Sequence, residues 1–142
     1  MIQGAALAAL VPHGGSMVLL DAVVSWDAGG ILCRSRSHLH PANPLRRGGR
    51  LSAVCGAEYG LQAAALHGAM SAGGMVQRAG YVARLRDLVT HVPFLDEEAF
   101  GVLAIEAVLE HAEAGGMLYE LRIASNAGVP LLTARASVAL PR

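Results

Sequence analysis

The stretch L-S-A-V-C-G-A-E-Y-G-L-Q-A-A-A-L-H-G-A-M-S-A-G-G-M-V-Q, residues 51–77, contains one formal charge, Glu58. Its remaining polar groups are few (Gln62 and His67 among them), and it holds five glycines, at 56, 60, 68, 73 and 74. A membrane span needs about 20 mostly apolar residues, and this stretch is rich in small residues and broken by polar ones. It reads instead as a helix buried inside a protein, because a helix apolar on every side must be surrounded. Ser52 is a plausible N-cap, and the helix is expected to run to about Met70.

What surrounds that helix follows from the flanking sequence. Residues 17–26 (M-V-L-L-D-A-V-V-S-W) are apolar and β-branched, as in a buried strand. Asp27-Ala28-Gly29-Gly30 is a turn, and residues 31–37 read as a second strand paired with the first. Residues 38–49 hold Pro41 and Pro44 and are irregular by necessity. After the glycine-rich break, residues 81–92 form a strand. In 102–113, Leu103, Ile105, Ala107 and Leu109 face one way, and Glu106 and Glu110 the other. In 117–125, Tyr119, Leu121 and Ile123 share a face. In the last strand Leu132, Ala134, Ala136, Val138 and Leu140 do the same. Strands that alternate one-sidedly belong to an antiparallel sheet with one face covered. With one helix to cover it, the sheet must curl around that helix: an α+β hotdog fold, a single domain over residues 1–142. Its open edges favour a dimer that joins two sheets.

Composition narrows the function. The 142 residues are 54% hydrophobic and 15% charged, with a mean hydropathy of +0.44, which excludes a disordered chain. Eleven arginines balance eleven acidic residues, there is no lysine, and no basic run exceeds Arg46-Arg47. Nucleic-acid binding is not expected on that balance. Two cysteines, Cys33 and Cys55, make no disulfide framework, and the opening M-I-Q-G-A-A-L-A-A-L lacks a basic n-region, so the expected setting is the cytoplasm. Without lysine there is neither a Schiff base nor a P-loop. There is also no G-x-S-x-G elbow, and no cluster completes a metal site around His38-Leu39-His40. No metal or cofactor is expected.

Glu58 is the most informative residue. Burying an unpaired carboxylate costs several kcal/mol, on the order of a lost ion pair. A carboxyl that takes up a proton instead suits general acid–base work near neutral pH. The alternative is an ion pair with Arg84 or Arg86 from a facing strand. Gln62, four residues on, shares the Glu58 face; its amide could orient the carboxyl or a bound group, or satisfy backbone groups at a dimer seam. His13, His38 and His40 are candidate partners for Glu58. His67, near the helix end, is expected to cap it.

Three segments together resemble the β-hydroxyacyl-acyl carrier protein dehydratases. L-V-P-H-G-G-S-M-V-L-L-D (residues 10–21) resembles their opening Leu-Pro-His run into a strand ending in Asp. G-A-E-Y-G-L-Q-A-A-A (residues 56–65) resembles their central helix, and H-L-H-P-A-N-P-L-R (residues 38–46) stands at their histidine-and-proline loop. The resemblance is closest to the small aryl-polyene-type branch. It implies that a histidine removes the C2 proton of a 3-hydroxyacyl thioester while Glu58 helps the C3 hydroxyl leave as water. The implied catalytic residues are Glu58, His13 and His38, and the implied substrate contacts are Gln62, Asn43 and Gly56, the last at a helix N-terminus that polarises the thioester carbonyl. Implied partners are an acyl carrier protein or acyl-CoA thioester and a second subunit, in a homodimer, a higher oligomer or a heterodimer with a paralogue. In the family the His and Glu of one site come from different subunits. Arg46-Arg47 replaces the family's Pro-Gly element and is expected either to meet the carrier or to lie in solvent. The alternatives on the same fold are an acyl thioesterase and a non-catalytic subunit.

Overall fold

The computed structural model describes residues 2–10, 17–71 and 82–139, with the side chain of Val82 left aside. The elements are β1 (Ile2–Gln3), α1 (Gly4–Ala8), β2 (Ala22–Asp27), β3 (Gly30–Ser35), α2 (Gly56–Ser71), β4 (Val82–Thr90), β5 (Leu103–Glu113), β6 (Gly116–Ala124) and β7 (Pro130–Ala139). The strands form one antiparallel sheet in the order β1-β2-β3-β5-β6-β7-β4. This is the expected hotdog fold, a curved sheet wrapped around one long helix. No described helix is long and apolar enough to cross a membrane.

The alternation in sequence becomes the inner face of the sheet. Ile31 and Cys33, Leu103, Ile105 and Ala107, Tyr119, Leu121 and Ile123, and Leu132, Ala134, Ala136 and Val138 are all buried against α2 or its surroundings. Leu109 is only half-buried, because a bulge between Leu109 and His111 shifts the register. The outer face carries the charges: Arg122 bridges Glu106 and Glu120, and Arg135 pairs with Glu110.

The helix touches the sheet through its glycines. A Cβ on Gly60 would stand 2.9 Å from Leu121 Cδ1, and one on Gly56 3.3 Å from both Ile123 Cγ1 and Leu132 Cδ1. At Gly60 a side chain would force Leu121 to shift, and at Gly56 it would press its neighbours back by a few tenths of an ångström. The closeness fixes the rotation of the helix. Glu58 lies two residues from each glycine, roughly 200° around the axis, and so faces away from the sheet.

Several expectations are corrected. The helix is not enclosed on all sides: Glu58 and Leu61 are half-buried and Val54, just before it, is exposed. Its first turn is a 3₁₀ segment, Ala53–Cys55, for which Ser52 is the N-cap position without a side-chain hydrogen bond. β2 starts at Ala22 rather than at residue 17, because side chains claim the preceding backbone, as described below. The N-terminal β1 and α1 were not expected. The Gly14-Gly15 and Gly73-Gly74 turns and Leu140 lie outside the described residues.

Candidate active site

Three segments that are far apart in sequence meet at one end of α2. Tyr59 is fully buried near the start of α2, so its hydroxyl needs partners. It finds Ser37 Oγ at 2.7 Å and Asn43 Nδ2 at 3.0 Å. Ser37 Oγ also lies 2.7 Å from the Leu19 carbonyl, which can only accept. The hydrogens therefore run one way: Asn43 donates to Tyr59, Tyr59 to Ser37, and Ser37 to Leu19. Ser35 Oγ donates to the same carbonyl. Burial pushes the pKa of Tyr59 up, which keeps its donor proton in place.

Gln62 closes this network from the helix. Its Oε1 accepts the Leu19 N–H at 2.9 Å and its Nε2 donates to the Met17 carbonyl. The amide thus satisfies backbone groups of its own chain. Residues 17–20 cannot pair as a strand while Gln62, Ser35 and Ser37 hold them. Gln62→Leu keeps the volume and leaves a buried N–H and a carbonyl without partners. It is expected to cost about 2–4 kcal/mol, read as a fall in unfolding free energy in urea.

The loop before the helix is stapled from within. Arg46 Nη1 contacts Asp96 at 3.1 Å and the Gly49 carbonyl at 2.9 Å, Nε donates to the His40 carbonyl, and Nη2 to the His38 carbonyl. Arg50 binds Asp96 and Glu97 and lies over the Phe94 ring. Arg46 is therefore committed to the loop rather than to a carrier. Arg47 is exposed and donates to the Pro44 and Arg46 carbonyls.

The expected site residues other than His13 fall among the described residues. Gly56 packs on the sheet at the start of α2, and Asn43 is buried, holding Tyr59 and the Ser37 carbonyl. Glu58 makes no hydrogen bond or ion pair among the described residues. Arg84 and Arg86 stand exposed on the outer edge strand β4 instead of pairing with it. His13 lies outside the described residues; the chain four residues further on is where Gln62 takes hold. His38 is fully buried, and neither ring nitrogen has a hydrogen-bond partner. Cys33 and Cys55 are free; burial pushes the Cys33 thiol up to about 12, as expected for an inert core residue.

Burial holds the His38 pKa below the ordinary imidazole value of 6.5, with Arg46 acting in the same direction; the Gly101 backbone, short of hydrogen-bond geometry, and the carboxylates Asp21 and Asp96 oppose it. The unfolded chain then binds a proton at higher pH than the folded one. Stability contributed by neutral His38 is present above about 6.5 and is lost as pH falls below it, by at most about 1.4 kcal/mol per pH unit. His38→Leu removes two unsatisfied nitrogens. It is expected to be as stable as wild type at neutral pH and to lose this acid-side slope, measured by urea unfolding across the range.

His67 is not a helix cap. It is buried, with Nε2 2.8 Å from the Asp27 carbonyl and Nδ1 2.7 Å from Tyr119 Oη, so Nε2 carries the hydrogen and Nδ1 accepts from the tyrosine. It ties the end of α2 to β2 and β6.

Sequence reasoning missed a recess of about 360 Å³ lined by Val18, Leu19, Asp21, Arg36, Ser37, His40, Ala42, Asn43 and Pro44. Its signal was available: Asp21 and His40 both fall in the quoted segments. Two other recesses, of about 410 and 390 Å³, lie along the β5–β6 and β2–β3 hairpins and include none of the expected site residues.

A single-helix hotdog with a carboxylate on the helix face away from the sheet, one turn from a glutamine that anchors the entering chain, matches the class the sequence resembles. The chain belongs to the ApeP-like dehydratase family: the family model for ApeP dehydratase matches residues 5–142. Among solved structures it is similar to the dehydratase heterocomplex ApeI:P from Xenorhabdus doucetiae, with 20% identity and a TM-score of 0.79 over 96% of this chain and 91% of that one. Zebra fish thioesterase superfamily member 2 gives 16% identity and a TM-score of 0.66 over 95% and 93% of the two chains. The E. coli PaaI protein from the phenylacetic acid degradation operon gives 14% and 0.58 over 82% and 80%. At these identities the structural likenesses establish the fold. No curated protein matches the sequence.

Proposed function

We propose that this dehydratase removes water from 3-hydroxyacyl thioesters carried on acyl carrier protein or coenzyme A, with Glu58 as acid and a histidine as base. The base takes the C2 proton, the C2–C3 double bond forms, and the C3 hydroxyl leaves with the proton of Glu58 as water. The observation that carries the reading is the meeting of all three family-like segments at one end of α2 through Gln62, Tyr59, Ser37 and Asn43.

His13 is the favoured base. His38 is sealed from solvent, and His40 spends Nδ1 on the Ala42 N–H at 3.0 Å, which leaves Nε2 as a donor. Glu58 is half-buried in a single chain, and a second hotdog subunit laid on that face would complete its burial. The dehydratase heterocomplex among the similar structures supports such a partner, either a second copy or a paralogue.

Mass analysis of a 3-hydroxyacyl thioester incubated with the protein tests the reading. Loss of one water supports the dehydratase. Release of free acid supports a thioesterase, an alternative that fits the zebra fish neighbour. An unchanged substrate with a folded protein supports a subunit that needs its paralogue.

A further inference from the structure

Glu58 is half-buried and makes no hydrogen bond or ion pair among the described residues, so no partner at its carboxyl fixes its direction. Its aim depends on the helix turn that carries it. Two anchors hold that turn, one and four residues further on. Gln62 Oε1 accepts the Leu19 N–H at 2.9 Å, while Tyr59 Oη lies 2.7 Å from Ser37 Oγ, which in turn lies 2.7 Å from the Leu19 carbonyl. Both anchors therefore end on one buried residue, Leu19, the first on its N–H and the second on its C=O. The bonds close a ring from Leu19 through Ser37 and Tyr59 into the helix and back through Gln62. The glycine contacts bring α2 onto the sheet, and these two side chains hold its first turns in place along the axis.

A phenylalanine at position 59 would fill the same space without a hydroxyl to satisfy. A buried hydroxyl adds little net stability even when fully paired, but its directional bonds fix geometry. This hydroxyl cannot serve a substrate directly, because Tyr59 is fully buried and the group already donates to Ser37 and accepts from Asn43. We propose that Tyr59 is a positioning residue for the dehydration: its hydroxyl, held by Ser37 and Asn43, sets the direction from which Glu58 delivers its proton to the departing C3 hydroxyl. The proposal rests on the reading of Glu58 as the acid and adds the group that aims it. Ser37 and Asn43 thereby act on chemistry that they do not touch.

Tyr59→Phe is the variant to test, because it leaves its neighbours paired. Ser37 still donates to the Leu19 carbonyl, and Asn43 still donates to the Ser37 carbonyl. Steady-state dehydration is measured for wild type, Tyr59→Phe, Glu58→Gln and the double variant, alongside amide hydrogen exchange by NMR on the whole chain. Tyr59→Phe is expected to lower kcat about 10-fold, the effect of a small misplacement of a reacting group. KM should stay within about twofold of wild type, because Tyr59 does not touch the substrate. In the Glu58→Gln background the same change is expected to cost less than about twofold, since the group it aims is gone. Exchange at residues 58–62 is expected to rise about 5-fold, the worth of one hydrogen bond, with residues 66–69 unchanged. An unchanged kcat, a loss carried by KM, an equal loss in the Glu58→Gln background, or unchanged exchange overturns the proposal. The two readings fail separately. Faster exchange in Tyr59→Phe, in a protein that removes no water from a hydroxyacyl thioester, defeats the dehydration chemistry and leaves the clamp on the Glu58 turn; Glu58-dependent dehydration that Tyr59→Phe leaves unaltered does the reverse.

Discussion

Glu58→Gln is expected to dehydrate 3-hydroxyacyl thioesters roughly 10²- to 10⁴-fold more slowly than wild type, the range that a positioned general acid supplies. The fold has little reason to change. Glutamine has nearly the same shape, Glu58 is half-buried on the face away from the sheet, and it makes no hydrogen bond or ion pair among the described residues whose loss could disturb its neighbours. What the variant loses is a proton to give to the departing hydroxyl. Thermal unfolding should therefore stay within a degree or so of wild type while turnover collapses, roughly the behaviour of an exposed neutral swap. A variant that turns over at the wild-type rate would make Glu58 a structural residue.

His13→Gln is expected to be as damaging to turnover, again by roughly 10²- to 10⁴-fold, whereas His38→Leu should retain most activity. The contrast comes from access. A base must reach the C2 proton within hydrogen-bond distance, and the His38 ring is enclosed, with both nitrogens unpartnered. His40 faces the recess through a nitrogen that already holds its hydrogen. Steady-state rates of the three histidine variants decide the assignment. Loss of activity in His38→Leu, with His13→Gln active, would move the base into the loop and require that loop to open.

Much of this molecule was legible from residue order because its physics is local. Period-two alternation over 103–107 and 132–138 shows on a one-sided sheet whatever surrounds it, and the nearly uncharged run at 51–71 marks an interior helix. The failures share a cause, side chains reaching across long sequence separations. Residues 17–20 read as strand, yet Gln62, Ser35 and Ser37 take their backbone from 16 to 45 positions away. His67 reads as a cap until the ends of β2 and β6 supply Asp27 and Tyr119. Arg46 reads as a surface charge until Asp96 and three loop carbonyls surround it. The exposure of Glu58 was misread for a related reason: an apolar helix in sequence says that it is covered, not whether its own chain or a second one covers it.

A carboxylate and a histidine from two subunits are proposed to act on one thioester. The direct measurement is the rate of water loss from a 3-hydroxyacyl thioester, followed by mass, for wild type, Glu58→Gln, His13→Gln, and the two variants refolded together. The expected result is turnover in wild type, almost none in either variant, and recovery in the mixture to roughly a quarter of wild type, since about half the dimers are mixed and one of their two sites is intact. Wild-type turnover by Glu58→Gln alone, or two dead variants that form mixed dimers and stay dead, would contradict it.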